Sequence, residues 1–139
     1  MDAFDRFART VAAAIALMTL LPTPSLPEQI PALCNKERDQ AAMTRCADEH
    51  LKKAKAELAA SLKQLLAETD KDNHNFVAEA QSAWESYRDK ECISRIGGSP
   101  NRGGSIWPMM QLQCHTNLTR ARIKDLKEQA KCPGGRMEC

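Results

Sequence analysis

The sequence predicts an all-α fold, a three-helix bundle with up-down-up topology that is stapled by disulfide bonds. Strong helix formers (Ala, Leu, Glu, Lys, Gln and Arg) dominate the composition. Aromatic residues make up only 4% of the 139 residues, whereas strands favour aromatic and β-branched side chains. Six cysteines in so short a chain indicate disulfides formed in an oxidising compartment. A single domain is the expectation at this length.

Residues 1–33 are predicted to be a signal peptide followed by a proline-rich leader. Residues 11–21 form an uncharged apolar run after Arg6 and Arg9, too short for a straight transmembrane helix but typical of a secretory signal. Four prolines follow before Cys34, and cleavage is expected between residues 22 and 33. An uncleaved anchor is the alternative. We therefore expect an exported protein, periplasmic or secreted, with no stable membrane insertion after signal removal.

The charge balance of the remaining chain excludes one class of partner. Residues 34–131 are predicted to form the helical domain and residues 132–139 a cysteine-containing tail. Residues 34–139 keep 18 of the 20 basic and 15 of the 18 acidic residues, a net charge of +3. This is far from the strongly basic surface of a nucleic-acid-binding protein, so no nucleic-acid partner is expected.

The first helix is predicted over residues 37–68. Its apolar residues follow each other at steps of three or four and form one stripe, with lysines on the opposite face. Residues 69–73 favour a turn that ends the helix. The predicted stripe consists of Met43, Ala47, Leu51, Ala54, Leu58, Leu62 and Leu65.

The second helix is predicted over residues 75–96, between an N-cap at Asp72 or Asn73 and a stop at Gly97. A glycine-rich loop over residues 97–108 joins it to the third helix, predicted over residues 109–131. The second helix is expected to present Phe76, Ala80, Ala83, Trp84, Tyr87 and Glu91 on one face, with Val77 and Arg88 at its margin. The third is expected to present Met110, Cys114, Leu118, Ala121, Arg122 and Leu126 along one side.

No catalytic or metal-binding motif is complete in the sequence. Cys46 and His50 share a helix face and would form one edge of a metal site, but a disulfide would remove Cys46 as a ligand. Glu85, Asp89 and Glu91 lie close enough for a small hydrolase, although salt bridges on a solvated helix face are the favoured interpretation. The sequence therefore predicts no enzymatic activity, no metal and no cofactor.

Three stretches of the chain carry a family resemblance. They are residues 40–47 (QAAMTRCA), residues 80–92 (AQSAWESYRDKEC) and residues 103–109 (GGSIWPM), the last followed by Cys114 and by residues 118–122 (LTRAR). The chain resembles the LprI-type family, small exported bacterial proteins named after a lysozyme inhibitor. The resemblance implies an all-helical domain without enzymatic activity. The cysteines of the family match Cys34, Cys46, Cys92 and Cys114.

Residues that match the family motifs are expected to serve the structure. Arg88 and Arg122 are expected to pair with Asp89 or Glu91, because a planar guanidinium suits a partly buried ion pair better than lysine does. The full set is Trp84, Tyr87, Arg88, Asp89, Glu91, Gly103, Gly104, Ser105, Thr119 and Arg122.

The six cysteines allow fifteen disulfide pairings, so the sequence alone does not select one. Their order along the chain favours local pairs. The local pairs are Cys34–Cys46, Cys92–Cys114 and Cys132–Cys139.

The function expected from the resemblance is binding of a lysozyme or of another envelope protein. A net charge of +3 gives no long-range attraction to strongly basic lysozymes, so a local acidic patch or an inserted loop would have to make the contact. The candidate loop carries Arg102, Ile106 and Trp107. Its alternative is a connector whose Trp107 packs into the core.

A second interpretation is an envelope structural module that touches anionic wall polymer or membrane. It depends on a modest cluster of basic residues on the third helix, which a solvated helix face also explains. The cluster consists of Arg120, Arg122, Lys124 and Lys127.

Overall fold

A computed structural model describes residues 34, 36–97, 101 and 103–132. It contains helix α1 (Gln40–Glu68), helix α2 (His74–Ile96) and helix α3 (Trp107–Gln129). Two short 3-10 helices, Lys71–Asn73 and Gly104–Ile106, precede α2 and α3. The described residues form no strand, and the all-α prediction is confirmed. The predicted signal segment and nearly all of the predicted tail lie outside the described residues.

Helix α1 begins at a side-chain cap and buries the stripe that its sequence predicts. The Asp39 carboxylate accepts a hydrogen bond from the Ala42 backbone N–H at 2.7 Å, which satisfies one of the free donors at the helix start. Five residues of the predicted stripe are buried, Met43 and Leu62 are half-buried, and Ser61 joins them in the interior. The five buried residues are Ala47, Leu51, Ala54, Leu58 and Leu65.

Helix α3 runs parallel to α1. At one end of the pair, the Gln40 amide donates to the Met109 sulfur at 3.5 Å. Farther along, the Lys127 ammonium lies 2.7 Å from the Glu57 carboxylate. The two helices are therefore in register along most of their length, and the main core lies largely between them. The core cluster comprises Leu58, Leu65, Val77, Ile123 and Leu126, and a smaller cluster near the helix starts comprises Cys34, Ala47 and Met109.

Helix α2 runs antiparallel to α3, which confirms the up-down-up topology. Its C-terminal end is joined to the start of α3 by the Cys92–Cys114 disulfide, with Cα atoms 5.7 Å apart. Its N-terminal half meets the middle of α3, where the Arg122 Nε donates to the Gln81 Oε1 at 3.3 Å. No helix among the described residues is long and apolar enough to cross a bilayer.

The buried face of α2 differs from the predicted one. Phe76 and Tyr87 are 68% and 50% exposed, and Ala80 and Ala83 are exposed as well. The interior is instead lined by Val77, Gln81, Arg88 and Cys92. The prediction was wrong because it followed apolarity alone, whereas the disulfide at Cys92 turns its own side of the helix toward α3.

The buried face of α3 also differs from the predicted one. Of the predicted residues only Leu126 is fully buried, and Met110 and Ala121 are exposed. Polar side chains occupy much of the interior face. The hydroxyl of Thr116 is satisfied within its own helix, since its Oγ1 donates to the Leu112 carbonyl at 2.7 Å. The buried residues of α3 are Trp107, Met109, Gln113, Thr116, Thr119, Ile123 and Leu126.

Two of the predicted disulfides are confirmed. Cys34 is linked to Cys46, with Cα atoms 5.9 Å apart, and this bond ties the chain before α1 to the first turns of that helix. The Cys92–Cys114 bond ties α2 to α3. The predicted third pair includes Cys139, which lies outside the described residues.

Candidate functional site

A cluster of polar and aromatic side chains between α2 and α3 contains several of the family-motif residues. The Trp84 indole is in contact with two guanidinium groups, with the Arg88 Cζ 5.3 Å and the Arg122 Cζ 5.9 Å from the ring centroid. A cation over an aromatic face is attracted by the ring quadrupole. Because Arg122 belongs to α3, the indole links the two helices through this cation–π contact, and it also packs against the main core cluster.

Arg88 is the most buried charged group of this cluster, with only 11% of its side chain exposed. Its Nε and Nη2 donate to the Asp89 Oδ1 at 2.9 and 2.7 Å. Asp89 is one of the two partners expected for Arg88. Arg122 differs from expectation, because it bonds to Gln81 rather than to either carboxylate. Gln81 in turn donates to the Glu85 Oε1 at 3.1 Å.

His115 on α3 completes the cluster, and no feature of the sequence marked it. Its Nε2 is buried, has no hydrogen-bond partner among the described residues and lies 3.8 Å from the Asp89 Oδ1. Burial lowers the pKa of His115 below its ordinary value, and the Arg88 cation lowers it further. The Asp89 carboxylate opposes this, and Lys55 of α1 adds to the lowering. The imidazole is therefore held neutral in the folded protein.

The stability of the protein is expected to decrease as the pH falls from 7 to 5. The unfolded chain binds a proton at His115 more readily than the folded protein does. The stabilisation is therefore present above the ordinary pKa of 6.5 and is lost below it. Chemical denaturation at several pH values measures the effect, and a His115→Gln variant should show a shallower pH dependence. An identical slope in the variant would contradict the assignment.

A groove with a volume of 360 Å³ opens between α1 and α2. One wall is apolar and belongs to α1, with Leu58, Ala59 and Leu62. The opposite wall is polar and belongs to α2. The groove can accommodate a small amphipathic group, but its polar wall is already engaged in internal hydrogen bonds. The residues of the groove that carry polar groups are Lys55, Gln81, Glu85 and Arg88.

The carboxylates considered for a hydrolase are all engaged. Asp89 accepts from Arg88, Glu85 accepts from Gln81, and the Glu91 carboxylate lies 2.7 Å from the Arg95 guanidinium. General acid–base catalysis needs a carboxyl group that is free to reach the substrate proton and lies beside a second reactive group. The three carboxylates do not form such a pair, and the geometry gives the hydrolase interpretation no support.

One group of side chains has the spacing of metal ligands. The ligand atoms of Cys34, Cys46 and His50 lie within 4.8 Å of one another. The sulfur atoms of Cys34 and Cys46 are joined in a disulfide, whereas zinc requires thiolates. In this oxidised form the group lacks the donor set for a metal.

Only part of the candidate binding loop is exposed to solvent. Trp107 is 5% exposed and packs in the interior, so this residue of the candidate binding loop does not reach a partner. Ile106 is 47% exposed. Arg102 lies outside the described residues. Trp107 is the first residue of α3, and its side chain is buried because it packs closely against Gly103.

Two glycines of this loop, Gly103 and Gly104, are required by its geometry. A Cβ atom on Gly103 would overlap the Trp107 side chain, and Gly104 has a φ of +60°, in the left-handed region. Ser105 between them and the helix is exposed. The Gly-Gly-Ser motif therefore shapes the chain that places Trp107 in the core.

A Gly103→Ala variant is expected to lose about 2 kcal/mol of stability, because the added methyl group forces Trp107 or the loop to move. Thermal and urea unfolding measure the loss. Gly104→Ala provides the comparison: no atom lies near its added methyl group, so only the backbone conformation costs energy, about 1 kcal/mol. A Gly103→Ala protein that unfolds like the wild type would show that this close contact is absent.

The basic cluster on α3 is partly neutralised. Lys127 pairs with Glu57 across the α1–α3 contact, and Glu128 pairs with Lys131 at 2.9 Å. The Lys131 ammonium lowers the pKa of the Glu128 carboxyl. Arg120 and Lys124 are exposed beside these pairs. The cluster is a mixed-charge surface rather than a uniformly basic one.

The remaining motif residues divide between the interior and the surface. Thr119 is fully buried, and its hydroxyl has no hydrogen-bond partner among the described residues. Tyr87 is exposed and does not contribute to the core as the prediction required.

Gln81 and Gln113 are buried polar residues that apolar periodicity does not identify. For Gln81 the available signal was its spacing from Cys92, which places both on one helix face.

Comparison with known proteins agrees with the motifs. Residues 34–126 match the profile of the family described as Lysozyme inhibitor LprI. A protein of Rhizobium meliloti (strain 1021), described as uncharacterized, is 33% identical over 133 residues, which cover 86% of this chain and 94% of that protein. No solved structure shows a significant match. The chain belongs to the LprI family of lysozyme inhibitors.

Proposed function

We propose that this protein is an exported, non-catalytic binding protein that inhibits a lysozyme. The observation that carries the proposal is the extent of the family match. It begins at Cys34, ends at Leu126, and so includes both observed disulfides and nearly all of α3. The match therefore covers nearly the whole folded domain rather than one motif.

Two features of the structure support this proposal. The carboxylates of Glu85, Asp89 and Glu91 are engaged in ion pairs or hydrogen bonds, which fits a protein that binds rather than catalyses. The disulfides Cys34–Cys46 and Cys92–Cys114 fit an oxidising, extracytoplasmic location, where lysozymes act. Such covalent links also stabilise a small domain.

The test is a lysozyme assay with the full chain, purified with its disulfides intact. Hydrolysis of bacterial cell walls by several classes of lysozyme is measured at increasing concentrations of the protein. Inhibition that saturates at a fixed molar ratio supports the proposal. Unchanged hydrolysis with every lysozyme class rejects it. The same protein after reduction of its disulfides serves as the control that shows whether inhibition requires the folded domain.

The exposed basic residues Arg120 and Lys124 favour one second candidate, contact with anionic wall polymer or membrane. Cosedimentation with purified wall material and with anionic vesicles tests it. This function is supported over inhibition if binding disappears with added salt and in an Arg120→Glu/Lys124→Glu variant. The same protein should then leave every lysozyme active.

A further inference from the structure

The outer face of α2 carries exposed apolar side chains that do not pack in the core formed by the described residues. It consists of Phe76, Glu79, Ala80, Ala83 and Tyr87, which lie on one side of the helix and are all exposed. We refer to these residues as the α2 face. Buried residues of the same helix, Val77 and Cys92 among them, point to the opposite side. A helix with aromatic residues on its solvent side is typical of a protein interaction surface.

The two aromatic residues have the character of binding anchors. Phe76 is 68% exposed and Tyr87 is 50% exposed, about three helical turns apart. Between them lie Ala80 and Ala83, whose small side chains allow a partner to approach the helix closely. Aromatic residues supply large contact areas at interfaces and are frequent among the residues that dominate binding energy.

The charge around the α2 face is opposite to that of the rest of the domain. Residues 70–96 carry a net charge of −2, whereas α1 carries +1 and α3 carries +2. Among the described residues, Asp70, Asp72 and Glu79 have no ion-pair partner, and neither have Lys71 and Lys90 of the same segment. The net charge of −2 remains, so a cationic protein is attracted more to this side of the molecule than to the other two helices.

We propose that the α2 face is the surface on which this protein binds the cationic surface of a lysozyme. The inference rests on the proposed inhibitory function and names the surface that performs it. Phe76 and Tyr87 supply the apolar contacts, and Glu79 with Asp72 supplies the electrostatic complementarity. The net charge of +3 does not prevent this, because residues 70–96 have a net charge of −2.

The α2 face accounts for binding better than the two other surfaces considered. The glycine-rich loop exposes Ile106 but buries Trp107, so its aromatic anchor is not available. The groove between α1 and α2 is lined by Arg88 and Gln81, whose polar atoms are already bonded within the protein. Neither surface combines exposed aromatic side chains with unpaired carboxylates.

The experiment measures the Kd of the full oxidised chain for a basic animal lysozyme by calorimetry, together with inhibition of wall hydrolysis. A Phe76→Ser/Tyr87→Ser variant is expected to bind at least about tenfold more weakly while melting like the wild type, because both residues are exposed. Glu79→Lys is expected to weaken binding about fivefold and to reduce its dependence on salt.

Two matched variants separate the α2 face from general effects. Glu68→Lys changes the net charge as Glu79→Lys does, but at an exposed residue at the end of α1, and should leave the Kd within about twofold. Ile106→Ser removes an exposed apolar side chain from the loop and should also leave binding intact. Wild-type affinity in the Phe76→Ser/Tyr87→Ser protein overturns the inference while inhibition itself stands. A wild-type protein that binds no lysozyme overturns both.

Discussion

Replacing Cys92 and Cys114 together by alanine is expected to lower the free energy of unfolding by about 3 kcal/mol. The bond closes a loop of 22 residues, and without it the unfolded chain gains the corresponding conformational entropy. Helix α2 depends on this bond more than the other helices do. Val77 is its only buried aliphatic residue, and the rest of its buried face is polar or is Cys92 itself.

Urea denaturation measures the loss, and native-state hydrogen exchange locates it. The backbone amides of α2 should lose protection first, since this helix contributes least apolar area to the core. The matched control is Cys34→Ala/Cys46→Ala, which opens a loop of 12 residues and has a similar entropic effect on the unfolded chain. That control should leave α2 protected. Equal protection of α2 in both variants would show that the Cys92–Cys114 bond does not hold this helix in place.

The sequence predicts α1 better than the other two helices for a physical reason. The face of α1 that meets α3 is made almost entirely of Leu and Ala, so apolar spacing and burial coincide. In α2 and α3 they do not coincide. Thr116 and Thr119 are small, fully buried and compatible with close helix packing, yet polarity scales place them on the surface. Cys92 marks the correct face of α2, and a helical wheel centred on it identifies Val77, Gln81 and Arg88 as its neighbours.

The α2 face could not be predicted from the sequence for a related reason. Phe76 and Tyr87 are apolar enough to be predicted as core residues, and only the rotation of α2 imposed by its disulfide exposes them. The involvement of His115 also required the fold, because Asp89 and Arg88 approach it from another helix. The Gly-Gly-Ser and Trp-x-x-Tyr-Arg-Asp motifs identify the family, but a one-dimensional motif does not state which of its side chains face solvent.

An Arg88→Ala variant is expected to lose about 2 kcal/mol of stability. The substitution removes a side chain that is only 11% exposed, its stacking on Trp84 and its two hydrogen bonds to Asp89. Asp89 is 55% exposed and regains water when Arg88 is absent, so no buried charge is left unpaired and the loss stays moderate. Thermal and urea unfolding measure it.

Two comparison variants divide the contribution of Arg88 into its parts. Arg88→Lys keeps the charge near Asp89 but loses the guanidinium that contacts Trp84, and it should show about half of the stability loss of Arg88→Ala. Arg95→Ala removes an exposed ion pair with Glu91 and should cost less than about 0.5 kcal/mol. A loss no larger for Arg88→Ala than for Arg95→Ala would contradict a structural role for Arg88.

The titration of His115 gives an independent readout of the same substitution. Arg88 is the second-largest cause of the lowered pKa of His115, after burial. Removing the guanidinium leaves Asp89, whose carboxylate favours the imidazolium, so the pKa of His115 should rise toward its ordinary value. Arg88→Lys keeps a cation in place and should change it less. NMR of the imidazole protons measures this shift in the folded protein, where a simple loss of packing would not produce it. An unchanged pKa in the Arg88→Ala protein would mean that the two side chains do not lie in the same cluster.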